Sequence, residues 1–187
     1  VQGLYVCLQT LAAAGEGAVI QTPIYPPFLH AVAETHRRAV LCPLVAGQAR
    51  HEIDFAQMEQ AVDGGTRLLL LCNPHNPTGR VYPRALVEEL VRVAVKHRCY
   101  VLYDSVYQRL DYVGWFVNPA FAHPEWRDWV VSMSGLSKMD MFGASTGARA
   151  CWLVISDQIR SNGIWAREIL AILSAWLVAT PSTLAQD

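Results

Sequence analysis

Residues 68–79 read Leu68-Leu69-Leu70-Leu71-Cys72-Asn73-Pro74-His75-Asn76-Pro77-Thr78-Gly79. The run Leu68–Cys72 is apolar without alternation, the character of a strand buried on both faces of a parallel sheet. Asn73–Gly79 then strings together turn-forming residue types. Most such strings are only turns. At the carboxyl end of a buried strand, however, this one would hold two amides rigidly where open parallel sheets place their ligands.

Working outward, the same alternation of short apolar strand and helix recurs, and the chain reads as α/β: a mainly parallel sheet with helices on both faces. Leu4, Cys7, Leu8 and Leu11 mark one helical face ended by Gly15. Ala18–Gln21 reads as a strand, Pro26–Thr35 as a helix with proline in its first turn, and Ala39–Cys42 as a second strand. Phe55–Val62 forms a short helix closed by Asp63-Gly64-Gly65. Pro83 opens a helix whose apolar face is Leu86, Leu90, Val93 and Ala94. Tyr100–Tyr103, Trp129–Met133 and Cys151–Ile155 supply further strands, and Asp157 caps a last helix to about Leu173. Gly114–Glu125 reads as a surface excursion, and Pro181 starts an element that the chain does not finish. With no linker or repeat, one domain over residues 1–187 is the simplest organisation.

Composition narrows the partners. With 52% apolar and 17% charged residues, the chain is an ordinary globular one rather than a disordered segment. A net charge of -1 without a run of like charges argues against nucleic acid and anionic membranes, leaving a small molecule. The five cysteines, Cys7, Cys42, Cys72, Cys99 and Cys151, are scattered through apolar runs, which suits reduced packing residues. No CxxC or histidine spacing marks a metal site. Val1–Ala14 lacks the features of a signal peptide and no apolar run reaches about 18 residues, so a soluble, cytoplasmic protein is expected.

Candidate chemistry collects after the strands. Only two of the fifteen basic residues are lysines. Lys96 falls late on a helix, where a solvated cation is expected, whereas Lys138 follows the Trp129–Met133 strand through Ser134-Gly135-Leu136-Ser137. Its amine would project at the sheet edge, available for a Schiff base; a surface lysine is the plain alternative. Asp104 closes the Tyr100–Tyr103 strand and reads either as a helix N-cap or as a carboxylate partner for a pyridinium nitrogen. Tyr107 would share its face in a helical turn. Tyr25, held among prolines in Thr22–Phe28, could stack on a flat cofactor or simply pack in the core. Arg149, past Gly143–Gly147, could grip a phosphate or face solvent.

In this order, the residues resemble those of fold-type I pyridoxal-phosphate enzymes of aminotransferase class I/II. Asn73–Gly79 is similar to the family's NPxNPTG element, followed by Asp104-x-x-Tyr107 and Ser137-Lys138. The resemblance implies pyridoxal 5'-phosphate as cofactor. Lys138 would be its Schiff-base anchor and the general base at the substrate Cα. Asp104 would face the pyridine nitrogen, Asn76 and Tyr107 the phenolic oxygen, Tyr25 the ring, and Ser137 with Arg149 the phosphate. It further implies amino-acid and 2-oxo-acid substrates and a homodimer. Three departures stand out: Ser105 where the family carries an acid, Gly135 where it carries Ser or Thr, and Arg149 a few residues later than the common pattern. Against the family's subunits the chain looks cut at both ends, without the glycine segment before Val1 or the small domain after Asp187, and such a fragment is expected to be inactive alone.

Within that cofactor class a β-eliminating carbon-sulfur lyase stays open, because Thr22–Phe28 resembles that branch, while Asp104–Lys138 looks like bacterial aspartate aminotransferases. Gly143–Gly147 fits G-x-S-x-G, but a strand follows where a helix is needed and no histidine comes after His123. Gly15-Glu16-Gly17 lacks the third glycine of a dinucleotide motif. A non-catalytic aminotransferase-like sensor module is the reading without enzymatic activity.

Overall fold

The computed structural model describes residues 1–47 and 50–135 and the backbone of 151–154. In chain order the elements are α1 (Gln2–Leu11), β1 (Gly17–Thr22), α2 (Pro27–Glu34), β2 (Arg38–Pro43), β3 (Val45–Ala46), β4 (His51–Glu52), α3 (Phe55–Ala61), β5 (Thr66–Cys72), α4 (Arg84–Lys96), β6 (Tyr100–Asp104), α5 (Pro119–Ala122), β7 (Val130–Gly135) and β8 (Cys151–Val154). Single 3-10 turns occupy Gln108–Leu110 and Pro124–Trp126. The main sheet runs β2-β1-β5-β6-β7-β8, parallel throughout except for β8, which pairs antiparallel with β7. The mainly parallel α/β expectation is met.

The uninterrupted leucines of β5 have a simple cause. Successive side chains of a strand point to opposite faces, and here both faces are covered. Leu68, Leu70 and Cys72 join a core with Leu4, Leu8, Phe28 and Ala31 of α1 and α2. Leu69 and Leu71 join a second core with Met58 of α3 and Val87, Leu90 and Val91 of α4. Each leucine so buried contributes at most about 2–3 kcal/mol, which makes β5 the ridge on which both helical layers rest. The edge strand β2 shows the opposite pattern, mostly exposed with Leu41 open to solvent.

Local signals explain the helix starts. Asp54 caps α3 by accepting from the N–H groups of Ala56 at 2.9 Å and Gln57 at 3.1 Å. Pro83 precedes the first turn of α4, where its missing N–H costs nothing. Arg37 ties off the end of α1, its Nε donating to the Ala12 carbonyl at 3.1 Å.

Several expectations need adjustment. On α4 the fully buried stripe includes Val87 and Val91, while Leu86 is only partly covered; the helix lies rotated slightly from the face read in sequence. The β3–β4 hairpin was not anticipated, since two-residue strands carry no period. The Gly114–Glu125 excursion is only partly one: Trp115 and Phe121 are exposed, but Pro119 and Ala120 are buried. Asn118 secures that segment, its Oδ1 accepting from the Ala120 N–H at 3.1 Å and from Ser132 Oγ of β7 at 3.0 Å. Cys7, Cys42, Cys72 and Cys99 are all buried. Among the described residues no helix is long and apolar enough to cross a membrane, and no cluster suits a metal ion. The helix from Asp157 to Leu173 and the Pro181 element lie outside the described residues.

Because β1, β5, β6 and β7 are parallel, the segments after Thr22, Cys72, Asp104 and Gly135 emerge at one edge of the sheet.

Candidate cofactor site

At that edge Cys72 and Asp104 are register partners, and the Asn73 N–H continues the ladder by donating to the Asp104 carbonyl at 3.0 Å. Asn73 itself is wholly buried. Its Nδ2 donates to Tyr103 Oη at 2.8 Å, and its Oδ1 accepts from the Tyr82 N–H at 2.8 Å. Tyr103 Oη in turn donates to the Val117 carbonyl at 2.6 Å. Asn73 therefore serves as a bracket, joining the start of the loop to β6, to the segment before α4 and, through Tyr103, to the chain before α5. A buried amide satisfied on both its atoms is costly to disturb.

Beyond the bracket the chain turns through Pro74–Gly79, with Gly79 at a φ of 67°, where a Cβ would strain the backbone. This turn brings Asn76 to Tyr107: Asn76 Nδ2 donates to Tyr107 Oη at 3.1 Å. The two residues are 31 apart in sequence, and their contact is the central geometric finding. With its oxygen accepting from Asn76, the phenol keeps its own proton to donate. Amide and phenol thus form a paired donor set suited to one anionic oxygen. Burial raises the Tyr107 pKa, Cys72 adds to it, the Asn76 hydrogen bond opposes it, and Asp104 and Tyr25 raise it further. Tyr107 therefore feels both Asp104 and Tyr25. Tyr25 follows β1, its carbonyl accepting from the Phe28 N–H at 3.0 Å, and the residue remains 42% exposed.

Asp104 is 7% exposed, and burial pushes its carboxyl up to about 6, against a hydrogen bond from the Val106 N–H at 3.1 Å. That local bond is the turn-capping role of the plainer reading: one oxygen caps the turn, while burial makes the carboxyl a weaker acid than an exposed one. Such a group can share a proton with a heteroaromatic nitrogen. The residues present thus fit a ring with a basic nitrogen and a phenolic oxygen.

The structure brings together Tyr25, Asn76, Asp104 and Tyr107. Lys138, Ser137 and Arg149 lie outside the described residues. Sequence reasoning missed the bracketing role of Asn73 and the way Ser105 is used. Ser105 is buried, its Oγ donating to the Met133 carbonyl at 3.0 Å, while Ser134 Oγ reaches the Ser105 carbonyl at 3.4 Å. The serine that replaces an acid here stitches β6 to β7, and nothing in a single sequence marks that inward turn.

Comparison with known proteins adds an independent line. The sequence model of the family described as aminotransferase class I and II matches residues 1–186. A cystathionine beta-lyase of Corynebacterium glutamicum is 29% identical over 184 residues, covering 94% of this chain and 47% of that protein. An aspartate aminotransferase of Musicola paradisiaca is 27% identical over 156 residues, covering 83% and 38% respectively. The crystal structure of cystalysin from Treponema denticola, which contains a pyridoxal 5'-phosphate cofactor, superposes with a TM-score of 0.80 at 21% identity. It covers 91% of this chain and 43% of that one, a likeness of fold. The chain spans less than half the length of these relatives.

Proposed function

The chain belongs to the aminotransferase class I and II family of pyridoxal-phosphate enzymes, and from that premise we propose that it is the cofactor-binding part of an aminotransferase, moving an amino group between an amino acid and a 2-oxo acid. The observation that carries this reading is the Asn76–Tyr107 contact beside a buried acid at the carboxyl edge of the sheet. When bound, pyridoxal phosphate supplies an electron sink for negative charge developing at the substrate Cα.

The chain's own residues divide the remaining work. Asp104 holds a proton at the ring nitrogen. Asn76 and Tyr107 would hold the cofactor's phenolic oxygen by donating to it. Tyr25 covers one face and excludes water from it. Lys138, three residues beyond the end of β7 at Gly135, would hold the cofactor through its amine and carry the Cα proton. Ser137 and Arg149 bind the phosphate. The complete subunit is proposed to dimerise and to work in the cytoplasm.

A second reading, β-elimination by a carbon-sulfur lyase, is favoured by the cystathionine beta-lyases among the relatives. Both reactions begin with loss of the Cα proton and part afterwards, according to whether a proton returns or a β-substituent leaves.

The test is an absorbance spectrum of the full-length protein with pyridoxal phosphate, repeated for Lys138→Ala. A near-ultraviolet or visible band that disappears in the variant is expected; a band that persists unchanged removes the assignment of Lys138. Pyruvate released from cysteine-type substrates without an oxo-acid acceptor would select the lyase.

A further inference from the structure

The loop that presents Asn76 is closed on a single residue. The main-chain N–H of His75 donates to the Arg80 carbonyl at 2.8 Å, and the His75 carbonyl accepts from the Gly79 N–H at 2.7 Å. The ring adds a third tie, its Nδ1 lying 2.8 Å from Thr78 Oγ1. Residues 76–79 are thus strung between three bonds that all end on His75. The residue is 1% exposed, with its ring tilted against that of Tyr82 at 5.7 Å between centroids.

The direction of the ring's bond follows from satisfaction. Burial, with His51 and Arg80 near, pushes the imidazole down to about 4, so it is neutral at pH 7 and carries one N–H. Nε2 is buried and has no partner among the described residues. An orphaned buried N–H is a costlier arrangement than an orphaned lone pair, which places the proton on Nδ1, donated to Thr78 Oγ1.

We propose that His75 is the positioning residue for Asn76: by donating from Nδ1 to Thr78 it sets the turn that aims the Asn76 amide at the Tyr107 phenol. The inference rests on the functional reading for why that aim matters, since a few tenths of an ångström at a cofactor oxygen decide whether a hydrogen bond is made. Tyr82 and Asn73 hold the ring and the loop's base, and His75 converts that fixed base into a fixed amide.

The experiment is performed on the cofactor-free full-length protein at neutral pH. The side-chain amide of Asn76 and the Cζ of Tyr107 are followed by NMR with 15N and 13C labels. Tyr107→Phe assigns the signals and shows the full displacement of the Asn76 amide when its acceptor is removed. His75→Leu is expected to reproduce at least half of that displacement. His75→Asn, whose amide can donate from nearly the Nδ1 position, is expected to return the signal close to wild type. Thr78→Val removes the same bond from its acceptor side, so a His75→Leu protein that fails to fold does not end the test. Folded His75→Leu or Thr78→Val protein with both signals at wild-type positions would overturn the proposal. Because no cofactor is present, the outcome is separate from the functional reading, which the wild-type spectrum with pyridoxal phosphate judges alone.

Discussion

Asp104→Asn should stabilise the cofactor-free protein increasingly from pH 4 to pH 6, fully above pH 6, and leave its stability unchanged at pH 3 and below. The carboxyl is 7% exposed, and burial raises its pKa from the ordinary 3.8 to about 6. Between those values the native state binds the proton and the unfolded chain has released it. Stability then falls as pH rises, which is the reverse of the usual carboxylate case. The full penalty is present above the folded value and amounts to 6 − 3.8, or about 2 pKa units at 1.36 kcal/mol each, on the order of 3 kcal/mol. Asparagine keeps the shape and can accept the same Val106 N–H without ever carrying the charge. Urea unfolding of the full-length protein at pH 4 and pH 8 measures the effect. Taking a slope of about 2 kcal/mol/M, the midpoint of the variant should exceed wild type by roughly 1–1.5 M at pH 8 and by no more than about 0.3 M at pH 4. Subtracting the two proteins cancels the other carboxylates, which titrate alike in both. Pyridoxal phosphate should stabilise wild type more than the variant, because a protonated ring nitrogen offsets the buried charge. A variant no more stable than wild type at pH 8, or stabilised equally at pH 4, would refute the reasoning.

Two further outcomes follow from the same network and its surroundings. Tyr103→Phe removes a hydroxyl that accepts from Asn73 Nδ2 and donates to the Val117 carbonyl; with Asn73 fully buried, the stranded amide and carbonyl should cost about 2–4 kcal/mol in urea unfolding, and a loss below about 0.5 kcal/mol would show that the bracket is dispensable. His123 bridges Glu88 of α4 at 2.8 Å and Glu125 at 3.2 Å, and the Glu88 hydrogen bond raises its pKa above the ordinary 6.5. This contribution to stability is fully present below pH 6.5 and lost as pH rises through the folded value, so the stability difference between wild type and His123→Gln should shrink over that window; an identical difference at pH 5.5 and pH 9 would dispose of it.

Much of this architecture is legible in the chain alone, because burial is written into local periodicity. The unbroken Leu68–Leu71 run bounded by turn residues suits a strand covered on both faces, and the spacing of Leu4, Cys7, Leu8 and Leu11 suits one face of a helix. Turn chemistry at Asn73–Gly79 and the acid closing β6 likewise marked the edge where ligand groups should gather, and the ordered series of motifs pointed to the cofactor class. What period and propensity do not encode is which distant segments become neighbours. That β1 lies beside β5 rather than at an edge, that Asn76 meets Tyr107, that Asn73 is a bracket and Ser105 a stitch, are outcomes of packing two helical layers against one sheet. Side-chain pairing across 30 residues is selected by the tertiary arrangement that leaves the fewest buried polar groups unsatisfied. A residue's own neighbours in sequence decide whether it goes inside; its partner is decided by everything else that goes inside with it.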